Sequence, residues 1–152
     1  MRHNKQGCNK EFYSVFGPVM YHRSGCPYCS SSYGEEATRE YLKDNNYNFI
    51  VQYKIEGCKN KRLLPFDFAV FNDGRLLFLI EYQGIIHYEQ KFDKDSYIKT
   101  KKNDSIKLDY CNNNSIPLIR VPYKRWHGRF DELKKQVKSY LDNEINKIDK
   151  IK

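Results

Sequence analysis

No apolar run in the chain approaches the roughly 20 residues that a membrane-spanning helix needs. The opening Met-Arg-His-Asn-Lys is followed by no apolar stretch of the kind a secretory signal requires. Membrane, secreted and collagen-like classes are therefore set aside, and a cytoplasmic protein is expected. There is no internal repeat, and no low-complexity tract beyond Asn112-Asn113-Asn114. Acidic charge is also in short supply: 19 Asp and Glu stand against 27 Lys and Arg, a formal charge of +8 at pH 7. Such an excess suggests a polyanionic partner, although chains rich in Asn, Lys, Ile and Tyr are often basic through base composition alone. What the sequence does have is apolar material. Of its 152 residues 39% are hydrophobic and 15% aromatic, with 13 Tyr and 9 Phe. That is enough for the core of one domain with room for a small appendage.

Three segments differ in texture. Residues 1–32 carry three of the five Cys and two of the four His with little periodicity. Residues 33–125 alternate helix-like and strand-like patterns, and residues 126–152 form a helical tail. A helix is expected from near Ser32, where Ser32 and Glu35 fit a capping box, to about Asp44, with Asn45-Asn46 ending it. Tyr47, Phe49, Val51, Tyr53 and Ile55 alternate with mostly polar residues and read as a strand. Leu64 to Phe71 is a second strand, Asn72-Asp73-Gly74 a hairpin turn, and Leu76 to Gln83 the buried returning strand. Residues 97–113 read as a helix and Ile116 to Val121 as a short strand. In the tail, Phe130, Leu133, Val137, Tyr140, Leu141 and Ile145 recur at helical spacing. The order implies a mixed α/β sandwich with an antiparallel hairpin at its centre.

The first segment contains the knuckle Cys26-Pro27-Tyr28-Cys29, with His3, Cys8 and His22 upstream. Tetrahedral zinc takes four N/S ligands, usually as two close pairs. His3 with Cys8 and Cys26 with Cys29 supply such pairs, with His22 in reserve. A segment so poor in core residues would need the metal to hold a shape. A redox pair and an unliganded reduced pair are the alternatives.

The chemical signal in the second segment is Pro65-Phe66-Asp67, then 13 residues, then Glu81-Tyr82-Gln83. Burying a lone carboxylate is costly, so acids set in apolar strands require partners. The turn folds Asp67 nearly opposite Glu81, and Gln83 projects from the same face as Glu81. Two acids and an amide on one face form an oxygen-donor site for Mg²⁺, which can polarise a phosphodiester. The plainer alternative is a pair of acids bonded to Arg or Lys. Spacing turns Glu35 toward the sheet and Glu36 toward water. It brings Asp104 and Lys107 inward with Leu108 and Cys111, either as an i, i+3 ion pair or as groups attending a phosphate. His87, just past the strand, is a general acid or a plain loop residue. Cys58 and Cys111 are expected as free thiols, Cys111 as a buried apolar residue.

Four stretches together resemble a known family. They are Gly34-Glu35-Glu36, Leu64 to Phe68, Ile80 to Tyr88, and Asn103-Asp104 through Lys107 to Cys111 with Ile116 to Tyr123. This set resembles the PD-(D/E)XK nuclease core, and more closely its very-short-patch-repair (Vsr-like) branch, which is common in phages and large DNA viruses and includes the EDxHD homing endonucleases. Gly25 to Cys29 is similar to the zinc-ribbon-like segment often fused before such nucleases. The likeness covers residues 3 to about 123 and continues in the tail helix. It implies a restriction-endonuclease-like mixed sheet flanked by helices, a structural zinc segment, and Mg²⁺- or Mn²⁺-dependent cleavage of double-stranded DNA. It also implies that Asp67 and Glu81 are metal ligands, that Gln83 completes the strand motif and Glu35 is the helical acid, and that His87 and Asp104 handle water or the leaving group. The family's strand lysine is Gln83 here, so Lys107 or His87 would take its role, or the chain is a catalytically impaired DNA-binding module. The His of the HD pair is Asn103. Arg62, Arg120, Lys124, Arg125 and Arg129 are candidate phosphate contacts, with Lys59 and Lys61 beside Arg62. Trp126 is a core lid or a base wedge.

Overall fold

The computed structural model describes residues 33–84, 94–124 and 129–151. His3, Cys8, His22, Cys26 and Cys29, the expected zinc ligands, lie outside the described residues, as do His87, Arg125 and Trp126. Helix α1 (Tyr33–Asp44) buries Gly34, Ala37, Thr38, Tyr41 and Leu42, a single stripe at helical spacing. Its end is a Schellman closure. Tyr47 N donates to Leu42 O (3.0 Å) and Asn46 N to Lys43 O (3.0 Å), while Asn46 takes a left-handed φ of 56°. Asn tolerates that conformation better than other non-glycine residues, so Asn45-Asn46 does stop the helix.

Strand β1 (Asn48–Asn60) runs antiparallel to β2 (Arg62–Asn72), and β2 to β3 (Arg75–Tyr82). The β2–β3 turn has Asp73 and Gly74 at positive φ (49° and 76°), the two-residue geometry that matches strand twist. β1 continues past Ile55, where the alternation in sequence breaks. Gly57 (φ 97°) sits in a register shift between Lys54 and Lys59, and pairing resumes beyond it.

Helix α2 (Lys94–Asn113) then crosses to β4 (Leu118–Val121), which pairs parallel to β3. The sheet is thus four-stranded and mixed, in the order β1-β2-β3-β4. α2 ends as α1 does, with Ser115 at φ 54° and Ile116 N bonded to Cys111 O (2.9 Å). Helix α3 (Phe130–Ile151) buries Leu133, Val137, Leu141 and Ile145. Each of these contributes about 1.5–3 kcal/mol by leaving water. No helix among the described residues is long and apolar enough to cross a membrane.

Two apolar clusters lie on the two faces of the sheet. One joins α1 and α3 to Phe68, Val70, Phe78, Ile80, Tyr82, Ile119 and Val121. The other joins Cys111 of α2, with Ile106 and Tyr110, to Cys58, Leu64, Phe66, Ala69 and Leu79. The result is an α/β fold of three layers, with the sheet between α1/α3 and α2. The apolar contact of α2 is made by Ile106, Tyr110 and Cys111, and Leu108, expected to share it, is not in that cluster.

Gly34 brings α1 against the end of β3. A methyl group at position 34 would fall onto the Tyr82 ring, which is itself buried. Gly34→Ala should therefore lower stability by about 1–3 kcal/mol through overpacking. Thermal unfolding checks this, and an unchanged midpoint would contradict the close approach.

Candidate functional site

Asp67 and Glu81 meet because of strand register. Phe68 pairs with Ile80, so the next step along both strands brings Asp67 to the level of Glu81. The ladder stops there, and a side chain replaces it: Tyr82 N donates to Asp67 Oδ2 at 2.8 Å. The carboxylate is oriented by a backbone amide and a charge-assisted bond. On the other side of β2, the Val51–Phe68 and Tyr53–Phe66 pairs leave Gln52 at the level of Asp67. Gln52 has a left-handed φ of 51°, and its Nε2 donates to Asp67 Oδ1 at 3.4 Å. The distortion inverts the faces of the strands. Phe66 and Phe68, two residues apart, enter opposite clusters, and so do Tyr53 and Phe49. Regular pleating would send each pair to one side. Asp67 sits at this crossover, half-buried.

Glu81 is 7% exposed. Its Oε1 accepts a bond from Lys107 Nζ at 2.6 Å, and the same ammonium lies 5.4 Å from the centroid of the Phe66 ring. Burial pushes the Glu81 carboxyl up to about 7; Lys107 pulls it down, while Asp67 and then Asp104 push it up. In the parallel pair Arg120 stands in register beside Glu81, on the α2 side of the sheet with Leu118. The buried thiols Cys58 and Cys111 lie in the same cluster. Burial raises the pKa of both, that of Cys111 to about 11, which keeps them protonated and unreactive. Both are free thiols.

The structure therefore brings Asp67, Glu81, Asp104, Lys107 and Arg120 toward one end of the sheet. Gln83 follows β3, largely buried, with its backbone N bonded to Val121 O at 2.9 Å. Glu35 stands on α1, in the layer on the opposite face from Lys107, and is half-buried. Its neighbour Glu36, expected to face water, is also half-buried and pairs with Arg39 at 3.0 Å. Arg62 and Lys124 are exposed, at the start of β2 and just after β4. Gln52 is the site neighbour that sequence reasoning missed. In an alternating strand a Gln at that position looks like any outward polar residue, and nothing in the pattern marks a positive φ.

Mg²⁺ takes oxygen ligands and keeps several waters, so two protein carboxylates suffice to hold it. Asp67 and Glu81 provide hard donors of that kind, and their mutual repulsion together with Asp104 favours a cation. An ion there would share Glu81 with Lys107. Among the described residues no group of three or more His, Cys, Asp and Glu forms a metal site.

Glu81 makes stability depend on pH. Its folded-state pKa is raised, so its contribution is full below about 4.5 and is lost as pH rises through about 7. Without added divalent ions, urea unfolding should show falling stability across that window, and Glu81→Gln should flatten the slope there. An equal slope in the variant would assign the effect elsewhere.

No family model, no curated protein and no solved structure matches this chain.

Proposed function

We propose that this protein is a metal-dependent endodeoxyribonuclease that hydrolyses phosphodiester bonds in double-stranded DNA, with a restriction-endonuclease-like core of the Vsr-like kind. The observation that carries the reading is the juxtaposition of Asp67 and Glu81 at one level of the β2–β3 hairpin, with Lys107 Nζ 2.6 Å from Glu81. The order of elements, helix, three strands, helix, parallel strand and helix, agrees with the resemblance. A cytoplasmic location is part of the same reading.

Mg²⁺ or Mn²⁺ held by Asp67 and Glu81 would supply Lewis-acid polarisation of the scissile phosphate. The chain's own residues do the rest. The Tyr82 amide fixes the plane of the Asp67 carboxylate. Lys107 carries the positive charge that Gln83 lacks, so it serves where the family uses a strand lysine, neutralising phosphate charge that grows during attack. Arg120, beside Glu81 on the neighbouring strand, adds a second cation on that side. Asp104, whose charge reaches Glu81, would handle water or the leaving group. Glu35, on the other face of the sheet, stays within the proposal as the helical acid that the resemblance implies. His87 stays within the proposal as a proton-handling group, Arg125 joins Arg62, Arg120 and Lys124 as phosphate contacts, and His3 (or His22), Cys8, Cys26 and Cys29 would hold a structural Zn²⁺ for the first segment. The second reading, a DNA-binding module without turnover, is favoured by the uncharged, buried Gln83.

Plasmid cleavage with Mg²⁺ or Mn²⁺ separates the two. Asp67→Ala should reduce cutting to background, and Lys107→Met should slow it about a hundredfold or more. Cutting that survives in Asp67→Ala would sink the nuclease reading. Salt-sensitive binding with no cutting under any divalent ion would favour the module.

A further inference from the structure

A cleft of about 620 Å³ lies between the tip of the β1–β2 hairpin and the first half of α2. Lys61 and Arg62 line it from the hairpin and Lys99 and Lys102 from the helix, against the single carboxylate of Asp95. These four cations are exposed and form no ion pair with another described residue. The groove between α1 and α3, of about 520 Å³, is a useful contrast. There two of the three lining lysines are held by acids, Lys134 by Glu40 at 2.7 Å and Lys138 by Asp142 at 2.6 Å, and Asp44 and Asp131 share the lining with Lys135. Lysines satisfied inside the protein offer little to a ligand. Like charges gathered on both walls of a cleft repel each other until a polyanion neutralises them.

The cleft is built rather than incidental. Lys61 occupies the tip with a left-handed φ of 54°, and Asn60 Nδ2 donates to Asn103 Oδ1 at 2.9 Å. That bond ties the hairpin tip to α2 and holds the two charged walls at a fixed separation. Leu64 lies buried on the hairpin side and Ile98 exposed on the helix side, giving apolar surface beside the cations. Asn103 is one helical turn before Lys107, a rise of about 6 Å, so the cleft leads along α2 toward the Glu81–Lys107 pair.

We propose that this cleft is a binding site for the sugar-phosphate backbone of DNA, with Lys99 and Lys102 of α2 facing Lys61 and Arg62 across the strand. The proposal rests on the nuclease reading, because it continues that site's substrate along the helix, and it adds two helix lysines to the phosphate contacts. Phosphate contacts release counterions, and each one steepens the salt dependence of binding.

The test is fluorescence anisotropy of a labelled mixed-sequence DNA duplex with the full chain, over a salt series without added magnesium. Lys99→Gln/Lys102→Gln should reduce the slope of log K against log salt by about two and weaken binding about tenfold or more at 0.1 M salt. Lys138→Gln/Lys147→Gln, on exposed positions of α3, should leave both unchanged. If the wild type binds and the cleft variant keeps its slope and affinity, the cleft proposal is overturned while the nuclease reading stands. A reduced slope in a protein that never cuts DNA would support the cleft and overturn the nuclease. Failure of the wild type to bind duplex at low salt would overturn both.

Discussion

Burying a carboxylate at the end of a nearly all-apolar strand costs several kcal/mol unless a cation accompanies it. In this chain the carboxylate is Glu81 and the cation is Lys107, 2.6 Å away. The pairing has geometric consequences. Lys107 comes from α2, so α2 must pack on the Glu81 face of the sheet, and Ile106, Tyr110 and Cys111 supply the apolar contact that keeps it there. The compensation is incomplete, since Asp67 and Asp104 still oppose ionisation of Glu81. Three carboxylates, Asp67, Glu81 and Asp104, therefore share one end of the sheet with Lys107 and Arg120.

The second constraint is the crossover at Asp67 and Gln52. Strands that kept strict alternation would send Phe66 and Phe68 to one side. Here they seal opposite clusters, and the price is a left-handed Gln52. Non-glycine residues held in that region cost of order 1–3 kcal/mol, and such strain concentrates at functional positions. The gain is local: the ladder opens at Asp67, and the freed Tyr82 amide turns to its carboxylate.

The remaining charges fall into two populations. Lysines on α3 are mostly answered by neighbouring acids, as in Lys138–Asp142 and Lys147–Glu144. Surface pairs of this kind contribute little to stability, and they leave little for a polyanion to find. Lys61 and Arg62 at the hairpin tip and Lys99 and Lys102 in the first half of α2 have no such partners among the described residues. Among the described residues the positive charge is thus unevenly answered.

Much of the fold was legible in the residues. The helical stripe from Phe130 to Ile145, the Asn72-Asp73-Gly74 turn and the stop at Asn45-Asn46 follow from local chemistry, and local chemistry acts within a few residues. The opposition of Asp67 and Glu81 was legible only to within a residue: the turn alone would set Ile80 opposite Asp67, and a register shift between Val70 and Phe71 moves the pairing to Glu81. What the residues did not show was non-local. The extension of β1 beyond Ile55 depends on β2 accepting a bulge at Gly57. The proximity of Arg120 to Glu81 depends on a parallel pairing that no local pattern encodes. The placement of Glu35 on the opposite face depends on which side of the sheet α1 and α3 share. The sequence by itself determined which side chains carry charge and where the turns fall, because those are properties of residues and near neighbours. Only the tertiary structure decided which charges are buried together and which remain open to solvent, because desolvation and pairing depend on what packs across the sheet.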